Sequence, residues 1–143
     1  MQGVKRKSRY RALIKNKSLV EDIYGIWPSF HDAEVLSICF QRGRAVEAKI
    51  ASVVIELNYW ETKTLNAGTS ALDFVKDKNF VITLMIDGLI DSSVLGFNFQ
   101  NVIDELLITE DRGIISINAI SIHGVEMDCK CRSISVLGVR PFA

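Results

Sequence analysis

From Val125 to Arg132 the chain alternates without a break, Val125, Met127, Cys129 and Cys131 on one phase and Glu126, Asp128, Lys130 and Arg132 on the other. A period of two with one wet phase predicts an antiparallel strand lying on a core. The same reading extends to most of the chain after Glu34. Leu36, Ile38 and Phe40 alternate with Val35, Ser37 and Cys39, and Arg42-Gly43-Arg44 turns the chain into a long segment from Val46 to Tyr59. In that segment Val46, Ala48 and Ile50 fall on one phase but Val53, Ile55, Leu57 and Tyr59 on the other, so a bulge near Ala51 and Ser52 is expected. Phe80 to Ile86 is apolar on both phases, as in a strand covered on both sides. Further strands are predicted over Val94–Phe97, Ile114–Ile122 and Ile134–Val139, punctuated by Asp87-Gly88, Asp111-Arg112-Gly113 and His123-Gly124. Two stretches lack the pattern: 61–79 reads as a long polar loop, and 98–107 as a helical turn delivering Ile108.

Ahead of the strands the spacing changes to threes and fours. Tyr10, Leu13, Ile14, Leu19, Val20, Ile23 and Tyr24 make residues 9–26 an amphipathic helical stretch. Ser18 with Glu21 three residues on forms a capping-box pattern, so the firm helix is placed from Ser18 to just before Gly25. The sum is an α+β fold: an N-terminal helix, then about six to eight mainly antiparallel strands in up-down order, in a curved sheet, a sandwich or an open barrel.

With 143 residues and 48% hydrophobic content the chain fits one ordinary domain, and its 24% of charged residues is far from the composition of disorder. No apolar run approaches the roughly 18 residues of a membrane span, and the basic opening lacks the apolar stretch of a signal peptide, so a cytoplasmic protein without membrane contact is expected. Three cysteines, Cys39, Cys129 and Cys131, are an odd number and read as reduced thiols. The zero net charge hides an asymmetry. Seven Lys and Arg fall within residues 1–17 with no acid among them, whereas residues 18–143 hold ten Lys and Arg against seventeen Asp and Glu, a net of −7. The organisation expected is therefore a basic tail over 1–17 and one α+β domain over 18–143. The tail is a solvated terminus, a nucleic-acid contact, or a strap on the chain's own acidic surface. The acidic body would steer a basic partner.

The densest chemistry lies in Trp27-Pro28-Ser29-Phe30-His31-Asp32-Ala33-Glu34. Pro28 fixes its own φ and keeps Trp27 out of the helical region, so this is a loop entering a strand. His31 and Asp32 with Glu34 invite a metal-dependent hydrolase reading, but neighbours on extended chain point to opposite faces and could share a metal only through a bent loop. The competing reading makes Asp32 a loop-capping carboxylate and His31 a half-buried hydrogen-bonding ring. Glu34 shares its phase with Leu36, Ile38 and Phe40, where a carboxylate needs a partner. Trp27 and Phe30 read first as core residues. Tyr59 and Trp60 read as candidate interface anchors. Cys129-Lys130-Cys131 lacks metal or redox spacing, and no phosphate-binding loop or nucleophile elbow occurs. Asn98, Gln100 and Asn101 form an amide-rich turn whose side chains are expected to satisfy backbone groups. No catalytic residue, metal site or cofactor is assigned.

Trp27–Val35, followed by Leu36, Ile38 and Phe40, resembles the W/F-P-x-F-H-D-x-E-V opening of the immunity-protein-fifty family of bacterial polymorphic toxin systems, and Gly96–Ile103 is similar to a later landmark of it. The resemblance implies a protein that binds a cognate toxin, such as a basic nuclease, and neutralises it by stoichiometric occlusion without chemistry of its own. The matching positions are Trp27, Pro28, Phe30, His31, Asp32, Glu34 and Val35. Partner contact is expected from Trp27, His31, Asp32 and Glu34, with Tyr59 and Trp60 in addition, in a monomer or a homodimer. The rivals are a small metal-dependent hydrolase using His31, Asp32 and Glu34, and a nucleic-acid-binding module using the basic tail.

Overall fold

The computed structural model describes residues 13–43 and 50–143. Their elements are β1 (Ile14–Lys15), α1 (Ser18–Tyr24), β2 (Glu34–Arg42), β3 (Ala51–Leu65), β4 (Asp73–Asp87), β5 (Asp91–Leu95), β6 (Val102–Asp111), β7 (Ile114–His123), β8 (Glu126–Cys131) and β9 (Ser133–Pro141). The strands form a single open sheet of nine among the described residues, in the order β1-β9-β4-β3-β2-β6-β7-β8-β5. Alternation explains most of it. Val53, Ile55 and Leu57 of β3, Ile115, Ile117 and Ala119 of β7, and Met127, Cys129 and Cys131 of β8 are all buried on one face. The sheet curls so that its two halves share that core: Ile14 and Ile134 line a common gap with Ile108 and Ile115. No helix among the described residues is long and apolar enough to cross a membrane.

Several expectations need correction. The helix is not the first element, because β1 precedes it and pairs in parallel with β9 through Ile14↔Ile134 and Lys15↔Ser135. Ile14 is buried, so this part of the basic segment is docked rather than free; residues 1–12 lie outside the described residues. Helix α1 spans the expected Ser18–Tyr24, but Lys17 is its N-cap and no side chain caps it, so the capping box at Ser18 does not form. Seven residues are too few for an independent helix. Burial of Val20 and Tyr24 holds it against the sheet instead. Residues 61–79 are not a loop: β3 and β4 run on as a paired ladder from Glu61↔Asp77 to Leu65↔Asp73. Both faces of this hairpin end are largely exposed, so no apolar phase marked it in the sequence. Residues 102–107 belong to β6, not to a helical turn.

The up-down order also fails at two places. β5 leaves β4 and becomes the edge strand beside β8, while β9 returns to pair with β4. Residues 44–49 lie outside the described residues; from Ala51 to Glu56 the pairing with β2 runs without a shift, and among the described residues of these strands the register shifts fall at Val35/Ser37 in β2 and Tyr59/Glu61 in β3. The first of these reverses a side-chain assignment. Val35 pairs with Leu57, and after the bulge Ile38 and Phe40 pair with Ile55 and Val53, so Val35, Ile38 and Phe40 share the inner face. Glu34, opposite Asn58, therefore lies on the other phase from them.

Candidate functional site

Between α1 and β2 the chain makes the seam of the molecule. Gly25, in the left-handed region at φ +82°, ends α1 with its N–H on the Glu21 carbonyl. Residues 27–33 then lie along β6 with little ladder of their own, because β2 and β6 share one register pair, Glu34↔Val102. Discrete backbone bonds fasten them: Leu106 N–H to the Ser29 carbonyl (2.9 Å), Asp32 N–H to Ile103 (2.9 Å), Ile103 N–H to Ala33 (3.0 Å) and Val35 N–H to Asn101 (2.8 Å). Ala33 N–H closes a turn on the Phe30 carbonyl at 3.0 Å. Phe30 and Asp32 both sit at positive φ, +63° and +65°. That conformation costs an L-residue about 1 kcal/mol or more, so the surroundings must hold it.

Aromatic packing supplies the hold. The Phe30 ring, fully buried, meets Trp27 edge-on at 5.4 Å and Tyr59 at 5.2 Å, and Tyr59 meets Tyr24 at 5.0 Å. The Tyr24 hydroxyl donates to the carbonyl of Lys78 at 2.8 Å, with the Tyr59 carbonyl also within reach at 3.2 Å. Burial, with Tyr59 and Glu61 nearby, raises its pKa well above the ordinary tyrosine value. Trp27 and Tyr59 thus lie mainly within this cluster. Trp60, on the other phase of β3, carries Lys76 over its ring at 3.8 Å.

On the outside of the same turn stands a charged cluster. His31 Nδ1 lies 3.0 Å from both the backbone oxygen and Oδ1 of Asp104, and its Nε2 lies 3.4 Å from Asp32 Oδ2. The expectation that His31 and Asp32 diverge assumed extended chain. The positive φ at Asp32 bends it and brings the two together. All three side chains are more than half exposed. The Asp104 backbone hydrogen bond, then the Asp32 charge, raise the His31 pKa above its ordinary value. His31 is therefore an exposed ring on the rim, not a half-buried one. Among the described residues no group of three or more His, Cys, Asp or Glu is arranged to hold a metal ion. Glu34 is half-exposed where β2 meets β6.

Sequence reasoning missed Asp104, which lies in a stretch read as a helical turn. Two residues of separation from Val102, opposite Glu34, were its only signal, and that required knowing the pairing.

The amide-rich turn after β5 locks the seam from the other side. Buried Asn101 accepts from Asn98 N–H (2.8 Å) and Val125 N–H (3.2 Å) and donates to the Asn98 carbonyl (2.6 Å). Asn98 in turn takes the Gln100 N–H at 2.8 Å. Gly124, at φ +73°, is pressed against this turn, and a Cβ there would lie 2.6 Å from Asn101 Oδ1. Both sequence landmarks are thus halves of one joint. A curled β-sheet with an aromatic-backed joint and an acidic rim offers a shaped surface. The sequence model of the family described as Immunity protein 50 matches residues 16–142, and the chain belongs to that family. Neither a curated protein nor a solved structure matches it.

Proposed function

We propose that the chain binds a cognate bacterial toxin domain and neutralises it by stoichiometric occlusion, with no chemistry of its own. The observation that carries this reading is the family match over residues 16–142. The joint between the two landmarks supports it, because positive-φ residues held by buried aromatic rings give a surface whose shape is fixed before binding, which lowers the ordering cost of association. His31, Asp32 and Asp104 form the charged contact in this proposal, with Glu34 and Trp60 as further contact residues and Trp27 and Tyr59 as packing. A basic toxin domain, such as a nuclease, fits an acidic face.

Co-expression with the toxin domain encoded next to this chain's gene should restore growth of a sensitive bacterial host, and the two proteins should co-elute in equal amounts. Unrescued growth with both proteins present and soluble refutes the proposal. The hydrolase rival draws no support from the site, where the exposed cluster lacks a metal-holding arrangement among the described residues.

A further inference from the structure

The two halves of the sheet part company just beyond the joint. β2 pairs with β3 along its whole length, but on its other side only Glu34 is paired, so the edge from Leu36 to Arg42 has no sheet neighbour among the described residues. β5 is the last strand of the far half and pairs only with β8. The excursion containing β5 is tied to the β2 region at both ends: Leu89 N–H bonds the carbonyl of Ala51, which stands opposite Arg42, and Asn101 accepts from Val35 N–H. β5 therefore runs antiparallel to β2, and both strands, each with an edge that has no partner among the described residues, border one opening.

That opening is apolar. A pocket of about 390 Å³ lies there, lined by Leu36, Ser37, Ile38, Phe40, Val94 and Phe97. Phe40 is 49% exposed and Phe97 47%, and Leu95 and Phe99 stand out still further on the same connection. Unpaired strand edges and large exposed apolar side chains are each avoided by proteins with nothing to place on them. A small apolar ligand could fill the pocket but would leave the backbone donors and acceptors of both edges unused. An extended polypeptide satisfies both.

We propose that this gap receives an extended segment of the cognate toxin, which adds a strand between β2 and β5 and seats alternate apolar side chains on Phe40, Val94 and Phe97. The inference rests on the toxin-binding reading above and names the surface. Charge gives the segment its second property. Residues 18–143 hold ten Lys and Arg against seventeen Asp and Glu, a net of −7, so the side chains of the segment that face solvent should be basic. The chain's own residues 1–12 match the charge but not the pattern, since five Lys and Arg leave no alternating apolar run to enter the pocket.

Hydrogen exchange of the full chain, alone and with an excess of the catalytically inactivated toxin domain from the neighbouring gene, tests this. Amides of residues 36–42 that are not bonded to β3, and those of 91–95 that are not bonded to β8, should exchange rapidly alone and at least about ten-fold more slowly in the complex. Phe40→Asp and Phe97→Asp should each weaken binding by roughly 30-fold or more, while Phe74→Ser on the β3–β4 hairpin stays within about two-fold. A complex that forms while both sets of amides exchange unchanged overturns the inference and leaves the toxin-binding reading standing. Protection already present in the chain alone also overturns it; if dependent on concentration, it would place a second copy in the gap. Absence of any complex refutes the toxin-binding reading itself and the inference with it.

Discussion

Replacing Asn101 with Ala should loosen the joint more than any neighbouring polar substitution. Its side chain makes three hydrogen bonds, accepting from the backbone of Asn98 and Val125 and donating to the Asn98 carbonyl. They do not count equally. Val125 is fully buried, so its N–H would be left without water or partner, at a cost of about 1–3 kcal/mol. Asn98 is exposed and water can replace what it loses, so its two bonds contribute about 0.5–1 kcal/mol each. The total is about 2–5 kcal/mol. For a chain of this length that is a fall in Tm of roughly 10 °C. Asn98→Ala, which exposes only groups near solvent, should cost under about 1.5 kcal/mol.

A third variant separates the donor from the acceptor. In Asn101→Asp the carboxylate keeps both incoming N–H groups but turns a second oxygen onto the Asn98 carbonyl. The fold then favours the protonated acid, which can accept and donate together, so its pKa is raised. Stability contributed by a raised group is present below its unfolded pKa and lost as pH rises through the folded one. The deficit relative to wild type should therefore shrink toward about pH 4 and be largest at neutral pH. Urea and thermal unfolding across pH would measure all three. An Asn101→Ala protein melting within about 2 °C of wild type, or an Asn101→Asp protein equal to wild type at pH 7, would refute this account of the joint.

Two further outcomes follow from the same geometry. The His31 imidazole should titrate above 6.5, followed by its ring proton resonances, and Asp32→Asn should lower the midpoint. Whatever the charged ring contributes to stability is complete below the unfolded midpoint and disappears as pH rises through the folded one; a midpoint at or below 6.5 would contradict the contacts drawn to Asp104 and Asp32. Of the three thiols, Cys39 is exposed, whereas burial pushes Cys129 and Cys131 up to about 11. A thiol reagent near pH 8 should titrate one cysteine promptly in the native protein and three in denaturant; prompt reaction of all three would show that β8 is not packed as described.

How far the sequence was legible varies from element to element for physical reasons. β7 and β8 could be read directly because each has one buried and one wet face, and the C-terminal end of α1 because Gly25 supplies the left-handed stop. The β3–β4 hairpin end was missed because its residues face solvent on both sides and carry no apolar phase. β6 was missed as a strand altogether, because register shifts at Val102/Ile103 and Ile103/Glu105 break the alternation that would have declared it. At the joint, the backbone-satisfying role of the Asn98–Asn101 amides followed from their residue types, and the core placement of Trp27 and Phe30 from theirs. The meeting of His31 with Asp32 did not, because it depends on positive φ at both Phe30 and Asp32, and although aspartate tolerates that conformation, residue type alone does not say which aspartate adopts it.

By itself, then, the sequence determined that residues after Glu34 form mostly strands, that a helix stops at Gly25, and that the Trp27–Glu34 run matches a family opening, since period, capping glycine and motif are properties of neighbours in the chain. Only the tertiary structure decided that β5 crosses to the far edge, that Asp104 joins His31 and Asp32, and that β2 and β5 line one apolar pocket. Those are relations between residues many positions apart, set by which faces must be buried together rather than by any local preference.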